Sequence, residues 1–220
     1  MFIGHFGVAF GAKKASPAVS LGLLIIAAQF LDFLWPNLVL LNVEHAAITP
    51  GITKMTPLDF TDYPISHSLL MAVIWGLVFG GIFWLFRKNI KYAVVLGLCV
   101  VSHWVLDLFV HRPDLPIYPG NSPKVGFGLW NYPYIEPVIE MTIFLAGLIL
   151  YLQTTVSKNA IGKFGLWVLV IFLVLIQFSN SLGPAPTNVI AVAWSAQIMW
   201  ILVLLGFWVD HNRKIRPGYE

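Results

Sequence analysis

The chain has 220 residues, 58% of them hydrophobic and 10% charged, with a net charge of +3 and a mean hydropathy of +0.80. A soluble domain carries about 25% charged residues, so one core cannot absorb this apolar excess and a polytopic membrane protein is the implied class. The single cysteine, Cys99, excludes an internal disulfide or a cysteine-cluster metal site, and the small positive charge needs no nucleic-acid partner.

The opening "MFIGHFGVAFGAKK" has its cations after the apolar stretch, so it does not read as a secretory signal. Residues 2–13 fit a short helix that does not cross the membrane, descending to a Lys13-Lys14 turn with Gly4, Gly7 and Gly11 as a close-packing stripe. Six apolar runs follow, roughly Pro17–Trp35, Ile65–Phe86, Tyr92–Val110, Tyr134–Leu152, Phe164–Phe178 and Val189–Val209. Each is near the ~20 residues that span a hydrocarbon core. The last two, at 164–209, share one uncharged stretch divided by the turn-forming "SNSLGPAPTN". No linker or repeat divides residues 1–220. They read as a single all-α integral membrane domain: a polytopic transmembrane helical bundle of about six spanning helices plus the short N-terminal helix.

Lysine and arginine orient it. With the N-terminal basic turn and the C-terminus cytoplasmic, that side holds Lys13, Lys14, Arg87, Lys88, Lys91, Lys158, Lys163, Arg213, Lys214 and Arg216, against Lys54, Arg112 and Lys124 outside. Nearly every ionisable residue in or beside a span then falls in its outer half. Asp32 is near the end of the first span and His67 opens the second. In "SHWVLDLFVHRP" His103, Asp107 and His111 recur every four residues and share one helix face. Glu136 and Glu140 open the fourth span. A short returning N-terminal helix brings His5 to about 12 Å above its basic turn, against about 18 Å for His103 above Lys91, levels that a tilt can match.

Ionisable groups cost about 2.5–3.5 kcal/mol each at the centre of a membrane helix, which makes these residues functional candidates. Interhelical hydrogen bonding is the alternative for the His103/Asp107 pair, a solvated rim position for His111, and dipole-favoured helix starts for Glu136 and Glu140. Taken together, His5, Asp32, His67, His103 and Asp107 have the chemistry of an imidazole–carboxylate site within residues 1–140. Such donors suit zinc, and manganese or iron when oxygen donors are added.

These residues resemble the bacterial inner-membrane metal-dependent hydrolases, a family that includes the LexA-binding membrane hydrolases. The resemblance rests on His5, Asp32 in "QFLDFLWP", His67 in "SHSLL", His103 and Asp107 in "SHWVLD", and the following "HRPDLPIYPGNSPKVGFGLW". Where the family more often has a proline before its Asp, this chain has Leu31. The H-x-x-x-D step is also similar to one in zinc-dependent phospholipases C and related nucleases. The resemblance implies a hydrolase of the inner membrane.

The function expected is a metal-dependent hydrolase acting on a phosphoester or lipid-like substrate at the extracytoplasmic leaflet. Glu140 is the candidate general base and Arg112 the candidate partner of an anionic group. The long loop from His111 to Asn131, with prolines at 113, 116, 119 and 123, is expected to fold over the outer mouth. A metal-ion or proton-coupled solute transporter using the same ligands, and a haem-binding bundle, are the alternatives.

Overall fold

The computed structural model describes residues 1–219. A first helix, α1 (Ile3–Ala15), is followed by α2 (Leu21–Ala28) and α3 (Phe30–Leu40), which meet at Gln29 with a bend of 58°. A hairpin of β1 (His45–Ile48) and β2 (Leu58–Asp62) leads into the short α4 (Pro64–His67), then α5 (Leu69–Arg87) and α6 (Ile90–Val110). The loop beyond carries β3 (Leu115–Pro116), paired with β4 (Lys124–Val125), and a 3-10 turn at Leu129–Asn131. After α7 (Glu136–Thr154) comes β5 (Thr155–Ser157), then a π-turn at Ile161–Gly165 that runs into α8 (Leu166–Leu182). Helices α9 (Val189–Ala196) and α10 (Met199–His211) form one span, and β6 (Arg213–Ile215) returns to pair with β5.

The architecture is an all-α polytopic bundle. Among the described residues five helices are long and apolar enough to cross a membrane, and the bent α2–α3 pair makes a sixth. The first apolar run is therefore broken where it reads as continuous in sequence, and it extends to Leu40. The second divides at Ser68, whose side chain accepts from Met71 N and so starts α5 afresh. At 13 residues, α1 reaches about 20 Å, short of a core about 30 Å thick.

Close packing fixes α1 on α7. A Cβ on Gly147 would stand 1.9 Å from the Gly7 carbonyl oxygen, and one on Gly7 2.6 Å from that of Ile143, so the backbones touch. Gly76 and Gly80 meet Gly97 and Ala93 in the same way and join α5 to α6, whereas Gly81 faces open space. The first N–H groups of α1 have no partners within the helix. Glu140 of α7 accepts from Phe2 N at 3.0 Å and Gly4 N at 3.1 Å, which gives two donors at the buried start of the half-length helix a partner. At the other end Lys13 Nζ pairs with Asp210 at 2.7 Å. The same carboxylate accepts from Tyr151 Oη at 2.8 Å and Leu21 N at 3.1 Å, which ties α1, α2, α7 and α10 together.

Candidate metal centre

Four elements converge at the end of the bundle away from the basic turns. The bend at Gln29 puts Asp32 in the first turn of α3, where a carboxylate is favoured by the helix dipole. His67 closes α4, and His103 and Asp107 sit one turn apart on α6. His67 Nε2 lies 3.5 Å from Asp32 Oδ1 and 3.7 Å from Asp107 Oδ2. His103 Nε2 lies 3.6 Å and 3.3 Å from the same two oxygens. Four donors each about 2.0–2.1 Å from a central ion at tetrahedral angles stand about 3.3–3.4 Å apart, and the four His–Asp separations are at or slightly above that length.

The hydrogen bonds behind the histidines turn their lone pairs inward. His103 Nδ1 lies 2.8 Å from the Ala28 carbonyl, a pure acceptor, so Nδ1 carries the proton and Nε2 is unprotonated in the neutral ring. That Nε2 is fully buried and has no hydrogen-bond partner. The Ser66 hydroxyl donates to Glu44 Oε2 at 2.5 Å and so accepts from His67 Nδ1–H at 2.7 Å, which leaves His67 Nε2 as a lone pair. Two ring nitrogens facing two carboxylates is an arrangement that a ring proton or a bound cation relieves. The residues fit a divalent metal, with the outer partners on ring nitrogens that fix histidine ligands elsewhere.

His5 joins from the side. Its ring stacks on His103 with centroids 3.7 Å apart and planes 4° apart, and its Nε2 lies 3.2 Å from Asp107 Oδ1, the oxygen turned away from the four-donor set. The Met1 ammonium lies 2.6 Å from that oxygen too. His5, His103 and Asp107 therefore form a second cluster of possible donors beside Asp32, His67 and His103. Asp32 is the open member, with its side chain 31% exposed, while the others are buried.

This geometry and the apolar spans accompany a family relationship: the YdjM inner membrane protein family matches residues 3–183. The chain belongs to that family. No curated protein and no solved structure matches it. Every donor named above lies within the YdjM-matched residues, and the chain is a multi-pass inner membrane protein.

Around the YdjM-family site, the structure brings in residues outside the expected donor set. His111, at the end of α6, directs Nε2 to within 4.0 Å of Asp107 Oδ2. Its Nδ1 lies 2.9 Å from Asp114 Oδ1, which also accepts from Tyr63 Oη at 3.2 Å. Burial lowers the pKa of His111, and burial beside Asp114 raises that of Tyr63 well above the usual phenol range. The three-residue step from His111 to Asp114 in "HRPD" was a usable signal for this pair. Nothing local marks Glu44, which is buried under Ile65 N, Ser66 N and Ser66 Oγ from 21 and 22 positions away.

Two residues expected to take part in the chemistry have other engagements. Both oxygens of Glu140 face the start of α1. The Arg112 guanidinium pairs with Asp59 of β2 and, at 3.1 Å, with Asp114, so it straps the hairpin to the end of α6. Glu136 is buried beside the start of α7 and one of its oxygens has no partner. The loop from His111 does fold back over α6: Phe127 N and Gly128 N donate to the Leu108 and His111 carbonyls, and Trp130 packs on His111 with centroids 4.3 Å apart.

Proposed function

We propose that this chain is a membrane-embedded metal-dependent hydrolase acting on a phosphoester or lipid-like substrate from the extracytoplasmic leaflet. The observation that carries the reading is the inward convergence of Asp32, His67, His103 and Asp107, with His103 Nε2 buried and unpartnered. Zinc suits this donor set, with manganese and iron as the other candidates. The metal supplies a Lewis acid that lowers the pKa of water to about 7. The ten-to-three division of basic residues turns the site end outward.

The chain's own residues have distinct tasks in this reading. His67 and His103 are held as unprotonated donors by the Ser66 hydroxyl and the Ala28 carbonyl. His5 braces Asp107 through its second oxygen. Asp32 lies on the approach, being the exposed member of the set. His111, neutral and oriented by Asp114, is the group beside the donors that accepts a proton from an attacking water and returns it to a leaving group. Arg112 and Glu140 are given no chemical role in this reading, because Arg112 is paired with Asp59 and Asp114 and the Glu140 oxygens accept from Phe2 N and Gly4 N.

Metal analysis of the purified full chain, followed by a screen of lipid-soluble phosphodiesters, tests the reading. Native protein is expected to retain a divalent metal and turn over a phosphodiester, with both properties lost in His67→Ala, His103→Ala and Asp107→Ala. Failure to retain metal under any supplementation, or equal binding by the three variants, overturns it. Metal retention with flux in proteoliposomes but no turnover points to transport instead.

A further inference from the structure

The basic end of the bundle carries a second concavity that the metal centre does not use. There β5 and β6 pair antiparallel, with Ser157 opposite Arg213, beside a cavity of about 340 Å³ whose lining includes Lys163, Trp167, Arg213 and Arg216. A neighbouring hollow of about 500 Å³ shares Leu152 and Arg216 with it and continues to Ile149. Arg213 is built into this wall and only 8% exposed. Its Nε donates to Thr155 Oγ1 at 2.9 Å, Nη1 to the Gly162 carbonyl at 2.6 Å and Nη2 to the Thr155 carbonyl at 3.2 Å, while the guanidinium lies 5.4 Å from the centre of the Tyr151 ring. All these partners are uncharged.

Asp210, whose charge reaches Arg213, is already engaged by Lys13, Tyr151 and Leu21 N. Burial, with a further contribution from Arg216, holds the guanidinium below its usual range. Among the described residues no carboxylate lines either hollow. Three cations gathered around one partly apolar recess repel one another, and a bound anion relieves that repulsion.

We propose that this groove seats the phosphodiester head group of an anionic phospholipid. Arginine presents paired donors to phosphate oxygens, and basic pockets between spanning helices take such head groups. A lipid is favoured over a free anion because the recess opens onto membrane-facing side chains. Ile149 is 53% exposed on α7 and Trp167 45% exposed on α8, so an acyl chain leaving the phosphate has an apolar wall to follow. Arg213 and Arg216 lie beyond the residues matched by the family, whereas Lys163 and Trp167 lie within them. The groove stands independently of the metal reading.

The test is native mass spectrometry of the full chain titrated with phosphatidylglycerol or phosphatidylcholine. Lys163→Gln/Arg216→Gln is compared with the charge-matched control Arg87→Gln/Lys91→Gln, leaving the structurally engaged Arg213 intact. Native protein is expected to retain phosphatidylglycerol selectively, and loss of two phosphate-pairing cations is expected to weaken retention by about 30-fold. The control should match native. Equal retention by the groove variant, or an equal fall in the control, overturns the proposal. So does complete displacement of the lipid by millimolar inorganic phosphate, which would mark a free-anion site.

Discussion

Ser66→Ala is the most informative single perturbation of the centre, because it replaces none of the four donors. The Ser66 hydroxyl is fully buried between Glu44 Oε2 at 2.5 Å and His67 Nδ1 at 2.7 Å. Removing it leaves the His67 Nδ1–H without an acceptor, at a cost of about 1–3 kcal/mol for a buried unsatisfied donor. The imidazole avoids that cost by moving its proton to Nε2, the atom that faces Asp32 and Asp107, and that tautomer has no lone pair for a metal. Loss of such an outer partner typically weakens metal binding about 10–100-fold, or about 1.4–2.7 kcal/mol, in line with the buried-donor cost. Glu44 keeps its bonds from Ile65 N and Ser66 N, so α4 should remain in place. Chelator competition on the full chain in nanodiscs measures the affinity, with circular dichroism to check helicity. Ser102→Ala, whose hydroxyl only caps the Cys99 carbonyl, is the control and should be unchanged. Native affinity in Ser66→Ala would refute the relay from Glu44 to His67.

Gly147→Ala should lower the unfolding temperature and metal retention together, since its Cβ meets the Gly7 carbonyl at 1.9 Å and overpacking costs about 1–3 kcal/mol. Gly81→Ala, with nothing within 4 Å, should be neutral or stabilising by about 0.5–1 kcal/mol in the same thermal assay. Lys13→Met strips Asp210 of its buried partner and should destabilise by about 3–5 kcal/mol, read by denaturation in detergent. A reporter fused after Glu220 should behave as cytoplasmic and one inserted near Ser122 as extracytoplasmic, because basic residues collect at the first end.

The spans were legible because hydrophobic length is a local property, and the His103–Asp107 stripe because helical period four is one too. His5 was reachable by a rise-per-residue estimate, and its ring does stack on His103. The bend at Gln29 was not legible: "LLIIAAQFLDFLWP" has neither glycine nor proline at the break. There Gln29 is buried and its amide reaches toward the Phe2 carbonyl at 3.5 Å, a partner far away in sequence. Pro36 lacks the N–H that would bond the Asp32 carbonyl four residues back, but this weakens α3 after the bend and does not announce it. Glu44 with Ser66 and Lys13 with Asp210 depend on how distant segments meet, and no spacing encodes that. The engagements of Arg112 and Glu140 were hidden for the same reason. Their residue types suited chemistry, but their partners, Asp59 and the first N–H groups of α1, become visible only once the chain is folded.

The short α1 explains why the centre needs so much of the bundle. A half-length helix ending within the membrane exposes its first N–H groups, which hydrocarbon cannot satisfy. Glu140 meets two of them, Phe2 N and Gly4 N, and Asp210 holds Lys13 at the other end. Between these clamps the Gly7–Gly147 contact leaves no room for the backbones to slide. Three separate restraints thus fix where His5 stands against His103 and Asp107, although none of them is a donor at the centre. Loosening either end of α1 shifts His5 as a unit with its helix, so stability at the basic end and geometry at the metal centre are linked through one rigid element about 20 Å long.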